Sequence, residues 1–477
     1  MTKLEGLKPE KVFKYFEEIS AIPRGSGNMA HIADYCEKFA EKLSLKCVRD
    51  VADNIVIYKP GTAGYENSQP VILQGHLDIV CQKDADREID FEKDGLDLFV
   101  DGDYVKARGT TLGADNGIAV AMVLAILDSD DIAHPPIEAL FTTDEEIGMI
   151  GASQLDGSLF KGRMLINIDS EEQDKLTVSC AGGSEFEMSI PFERENRKGS
   201  KIIVSLSGLK GGHSGIEIDK GRINASVLAG RILHSLSEFE IISVTGGDKS
   251  NAITNCCKLE ILTDDADKAV SRLEECYKIV KKEIADIEPD FELMIDRGET
   301  GEFETVGKSA SEKLMYAMLF MPNGVQAMSA SIEGLVETSL NLGILKIEEN
   351  EIKMVSALRS NKLSALNYLE KRLAAFAKML GAQVKTYGHY PPWEYKENSA
   401  LQEIYKQCFE EKFGYQPTVE AIHAGLECGV LSAKIPGLDA ISIGPELADV
   451  HTTKEKLNIS SAKEMFELVC ELLGKMK

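Results

Sequence analysis

Positive charge is scarce in this chain. Lys and Arg number 53 against 78 Asp and Glu in 477 residues, a formal net charge of -25 at pH 7. Such a balance repels phosphate backbones and anionic headgroups, so neither nucleic acid nor a membrane surface is an expected partner. It does not call for a basic substrate, because acid spread over solvated faces governs solubility rather than recognition. Long apolar runs are missing too. No segment approaches the roughly 20 uninterrupted apolar residues of a membrane span. The opening Met1-Thr2-Lys3-Leu4-Glu5-Gly6 has no apolar core of signal-peptide length. Cysteine is sparse: there are ten, Cys256 and Cys257 are adjacent, and no Cys-x-x-Cys pair occurs. The expectation is reduced thiols in a cytoplasmic protein, not a disulfide scaffold or a thiolate metal site.

What is present has a globular balance, 43% hydrophobic and 27% charged residues, over a length that suggests more than one domain. Helical spacing over 9–20 and 28–45 is broken by Pro23-Arg24-Gly25-Ser26-Gly27. Val71-Ile72-Leu73-Gln74, Ile137-Glu138-Ala139-Leu140-Phe141 and Met164-Leu165-Ile166-Asn167 read as buried strands. With a helix over 116–128 they predict an α/β mixed sheet covered on both faces. Near residue 185 the strands begin to alternate exposed and buried positions. From there the order strand, helix, strand, strand, helix, strand is ferredoxin-like, and a second, partial round follows. The α/β texture returns after Pro391-Pro392-Trp393. The expected domains are 1–185 and 394–477, forming one discontinuous catalytic domain, with an inserted α+β lid of doubled ferredoxin-like elements at 186–393.

Five fragments place acid or imidazole at strand ends or glycine turns. They are His76-Leu77-Asp78, Gly113-Ala114-Asp115-Asn116-Gly117, Asp144-Glu145-Glu146, Asp169-Ser170-Glu171 and His451-Thr452-Thr453. In open α/β sheets such strand ends converge on one crevice. Their chemistry suits a hydrolase with two metal ions. His76 could bind one ion and His451 the other, and Asp115 could bridge them with its two oxygens. Glu146 and Asp169 could complete the sets. Glu145 is left to move the water's proton. On an extended chain its side chain would point away from that of Glu146. Asp78 could hold the far nitrogen of the His76 ring. Zinc, cobalt or manganese would suit these donors.

Taken in order, these motifs resemble the co-catalytic dizinc family of aminoacylases, glutamate carboxypeptidases, tripeptidases and dipeptidases, and within it the branch of aminoacyl-histidine dipeptidases. The resemblance runs from about residue 5 to the end. It implies two divalent ions, zinc by preference, held by His76, Asp115, Glu146, Asp169 and His451. It makes Glu145 the general base and Asp78 the orienting residue. In the insert, His213 of Gly211-Gly212-His213-Ser214-Gly215 resembles a lid histidine that polarises the scissile carbonyl. Asn251 resembles its assistant, and Arg359 a clamp on the substrate's carboxylate. Gly425, in His423-Ala424-Gly425-Leu426-Glu427, resembles part of a glycine loop lining the site. The implied reaction is hydrolysis of unblocked dipeptides, including Xaa-His dipeptides such as β-alanyl-histidine. The resemblance leaves open an N-acyl-amino-acid deacylase or a tripeptidase, and the residues alone a non-catalytic peptide- or metal-binding protein. A doubled lid makes a homodimer optional for the chemistry.

Overall fold

The computed structural model describes residues 3–477. The chain forms two compact units. One comprises 3–179, 395–421 and 426–477; the other comprises 180–394 and 422–425. The first crossing therefore falls between Ser179 and Cys180 rather than after 185. The reason is that the strand Gly182–Pro191 already pairs within the second unit's sheet.

The first unit is built on an eight-stranded sheet. Its four central strands, Ile137–Thr142, Val71–His76, Met164–Asn167 and Asp439–Ser442, run parallel. Every residue of Val71–His76, Ile137–Thr142 and Asp439–Ser442 is buried, which is why these strands read as continuous apolar runs and do not alternate. The helix Ala114–Leu127 is apolar on all sides and nearly all buried. It lies between the strand Val71–His76 and the helices Glu10–Ser20 and Ile459–Lys475. Parallel strands put their carboxyl ends on one edge, so the segments after His76, Thr142 and Asn167 emerge side by side.

The second unit carries a nine-stranded antiparallel sheet. Its first half is Glu195–Ser207, helix Ala225–Leu233, Glu240–Asp248, Cys257–Thr263, helix Ala266–Glu283 and Glu292–Thr305. Its second half is complete rather than partial. Gly182–Pro191 supplies the missing first strand, and helix Lys308–Phe320, Val336–Ile347, Glu351–Ser360, helix Leu363–Leu380 and Gln383–Tyr390 follow. The halves join edge to edge where Glu240–Asp248 pairs with Val336–Ile347. The first half is thus inserted within the second. The four helices pack on a shared apolar core that includes Leu228, Leu273, Leu314 and Leu373.

Candidate active site

His76 ends its strand, and its ring is almost completely buried. Nε2 lies 3.2 Å from Asp115 Oδ1 and 3.5 Å from Asp169 Oδ1. His451, half exposed on a left-handed backbone (φ 61°), brings its Nε2 to 3.1 Å from Asp115 Oδ2 and 3.0 Å from Glu146 Oε1. Each oxygen of Asp115 therefore faces a different imidazole. Donor atoms of His76, Asp115 and Glu146 all lie within 4.8 Å of one another.

The supports are specific. Asn116, joined to Asp115 by a cis peptide, accepts the His76 N–H and donates to the Ile168 carbonyl. It thus ties together two neighbouring strand ends. Gly75 makes room for it, since a Cβ there would lie 2.4 Å from Asn116 Oδ1. The Asp78 carboxylate accepts the backbone N–H groups of Glu145 (2.9 Å) and Glu146 (3.1 Å) and the Ser26 hydroxyl (2.9 Å). The His76 ring presents Nδ1 to the Asp78 carbonyl at 3.1 Å, with Asp78 Oδ1 at 3.4 Å. Holding the ring is thus shared between the main chain and side chain of Asp78. The extended chain expected through Glu145 and Glu146 is instead a turn, with Asp144 left-handed (φ 52°). Both N–H groups of the pair can then converge on one carboxylate.

Electrostatics favour cations here. Asp78, Asp115, Glu145, Glu146, Asp169 and Glu427 crowd around His76 and are largely shielded from water. Burial, reinforced by its acidic neighbours, pushes the Glu145 carboxyl well above the usual range. Hydrogen bonds that the His451 ring donates to Asp115 and Glu146 raise its pKa to about 10. The donor set of imidazole nitrogens and carboxylate oxygens fits divalent ions, and such ions would offset a desolvated excess of negative charge.

Three positioning residues escaped the sequence reading. Glu455, buried, accepts N–H groups from Leu112, Gly113, Ala114 and Asp115, and so shapes the loop that presents Asp115. Arg24 donates to the carbonyls of Leu77 and Gly113, bracing the turns after His76 and before Asp115. Glu427 accepts from Gln74 and Thr142 behind the strand ends. No local pattern marks them, because each acts across a long stretch of chain. Glu427 carries the one available cue, an acid beside a glycine-rich segment.

The other expected residues belong to the second unit. The Nδ1 atom of His213 accepts N–H groups from Gly215 (3.1 Å) and Ile216 (3.2 Å). The neutral ring must therefore carry its proton on Nε2, leaving that nitrogen as a donor. Burial and the Arg359 charge hold the ring's pKa below its usual value, which favours this neutral form. Gly212 (φ 135°) permits the turn, where any Cβ would strike Arg222. The Asn251 carbonyl accepts the Ser214 N–H at 2.9 Å, linking the two loops. Asn251 and Arg359 line one cavity of about 490 Å³. Arg359 Nη1 donates to Tyr390 Oη at 2.8 Å. Gly425 lies in the short segment 422–425, beside buried His423, whose Nε2 is 2.7 Å from Ser339 Oγ.

Known proteins resemble this chain in sequence and fold. The cytosol non-specific dipeptidase of Escherichia coli is 36% identical over 99% of each chain. The crystal structure of an aminoacylhistidine dipeptidase from Vibrio alginolyticus superposes with a TM-score of 0.93 at 35% identity, covering 98% of this chain and 97% of that one. A tripeptidase from Staphylococcus aureus shares the fold, with a TM-score of 0.57 at 17% identity over 98% and 99% of the two chains. The family model for peptidase family M20/M25/M40 matches residues 72–475. With its ordered acids and imidazoles and a relative this similar over its whole length, the chain belongs to peptidase family M20/M25/M40.

Proposed function

We propose that this protein is a dipeptidase that hydrolyses unblocked dipeptides, Xaa-His dipeptides among them, with two divalent metal ions. Metal dependence goes with the family; zinc and the number two are our reading. The observation that carries it is the placement of the two Asp115 oxygens against the rings of His76 and His451. His76, Asp115, Glu146, Asp169 and His451 would hold the ions. Bound there, they would supply the Lewis acidity that lets water attack an amide near neutral pH.

The protein's own groups do the rest. Glu145 takes the proton of the attacking water on its carboxylate and returns it to the leaving amine. Asp78 fixes the His76 ring and the Glu145 turn together. His213 donates from Nε2 to the scissile carbonyl oxygen as negative charge develops there, assisted by Asn251. Arg359 grips the substrate's carboxylate, and Gly425 lines the site. The second unit then acts as a lid.

The deciding assay is hydrolysis of a dipeptide panel before and after complete chelation, alongside the same dipeptides acetylated at the amino terminus. Loss on chelation, recovery with zinc and inactivity on acetylated substrates are expected. Activity that survives metal removal would refute the mechanism, and a preference for the acetylated forms would mark a deacylase.

A further inference from the structure

The cavity that holds Arg359 also holds an anion the proposed mechanism does not use. Glu185 sits on the strand Gly182–Pro191 opposite Ala357 of the neighbouring strand. Arg359 lies two residues beyond Ala357, so the two side chains share one face of the sheet as diagonal neighbours. Such neighbours have Cβ atoms roughly 7–8 Å apart. One Glu185 oxygen, Oε1, accepts the Ser250 hydroxyl at 2.7 Å. The other, Oε2, is buried with no hydrogen-bond partner in the protein, and the same holds for Arg359 Nε. Asp248 and Lys249 also line the cavity, but they are exposed on its rim, where solvent screens them. The inner pair is a cation and an anion, each with an unused hydrogen-bonding atom.

We infer that Glu185 reads the side chain of the substrate's C-terminal residue and favours dipeptides ending in a cationic or imidazole-bearing residue. This rests on Arg359 holding the C-terminal carboxylate, as proposed above. A residue anchored there by its carboxylate would lay its side chain along the same sheet face that carries Glu185, and a histidine ring or lysine chain carries an N–H toward it. Its N–H would donate to the Glu185 carboxylate, a charge-assisted bond in a poorly solvated place. Burial raises the Glu185 pKa, so a cation beside it also keeps it ionised.

Glu185→Gln tests this. The amide preserves an acceptor for Ser250 and removes the charge. The measurement is kcat/KM for Ala-Lys and Ala-His against Ala-Met and Ala-Leu, in wild type and variant. The expected result is a fall of about tenfold in the ratio of the first pair to the second, the size of one lost charged hydrogen bond. An unchanged ratio, whether total activity drops or not, makes Glu185 only a tie to Ser250 and overturns the inference. If the wild type cleaves none of the four, the dipeptidase reading falls and takes this inference with it.

Discussion

Asp78 Oδ1 accepts the backbone N–H of Glu145 at 2.9 Å, while Oδ2 takes that of Glu146. One carboxylate thereby sets the position of the proposed base and of a proposed ligand. Replacing Asp78 by Asn puts an amide donor against an N–H. We expect metal affinity to fall about 10–100-fold. Competition with a chelator of known affinity measures this, and unaltered affinity would remove Asp78 from the support of the site.

Glu145→Ala should separate binding from chemistry. The variant is expected to keep its full metal content by elemental analysis and to lose about 10²–10⁴-fold in kcat. Turnover within a few fold of wild type would show that another group carries the proton.

Glu455→Gln substitutes a neutral acceptor and one misplaced donor for a carboxylate that collects four backbone N–H groups. Buried donors left unpaired cost about 1–3 kcal/mol. Urea unfolding should show that loss, together with weaker metal retention through the displaced Asp115 loop. A stability loss with metal affinity intact would confine Glu455 to the fold.

His423 is buried, and desolvation, with the nearby Arg359 charge, lowers its pKa from 6.5 to about 3. The unfolded chain therefore binds this proton between pH 6.5 and 3 while the folded chain does not. Stability contributed by the neutral ring is present above pH 6.5 and is lost as pH falls toward 3. His423→Gln should flatten the pH dependence of the urea midpoint between pH 4 and 7. Parallel curves for the two proteins would contradict this.

Much of the first unit was readable from sequence, because three of its candidate residues follow apolar runs and parallel strands deliver their ends to one edge. His76, Glu146 and Asp169 meet for that reason, while Asp115 comes from the head of the helix Ala114–Leu127 and His451 from the turn after Leu447–Ala448. Arg24 and Glu455 were not readable, since their work is to hold main-chain groups far along the chain, and such work leaves no spacing to detect. The turn at Asp144 was hidden as well. A left-handed residue other than glycine is settled by its surroundings, here the Asp78 carboxylate. In the second unit the element types were legible but not their membership. Nothing local in Gly182–Pro191 says that its partners are Glu351–Ser360 and Gln383–Tyr390.

That nested arrangement also sets a timetable. As the ribosome extends the chain, the strands Glu195–Ser207, Glu240–Asp248, Cys257–Thr263 and Glu292–Thr305 have one another as soon as Thr305 emerges. Gly182–Pro191, made earlier, stays without neighbours until the chain has grown past Glu351. Its pairing spans the whole first half, the kind of distant closure that slows folding. A nascent chain halted between those points should resist protease across Glu195–Thr305 and be cut within Gly182–Pro191.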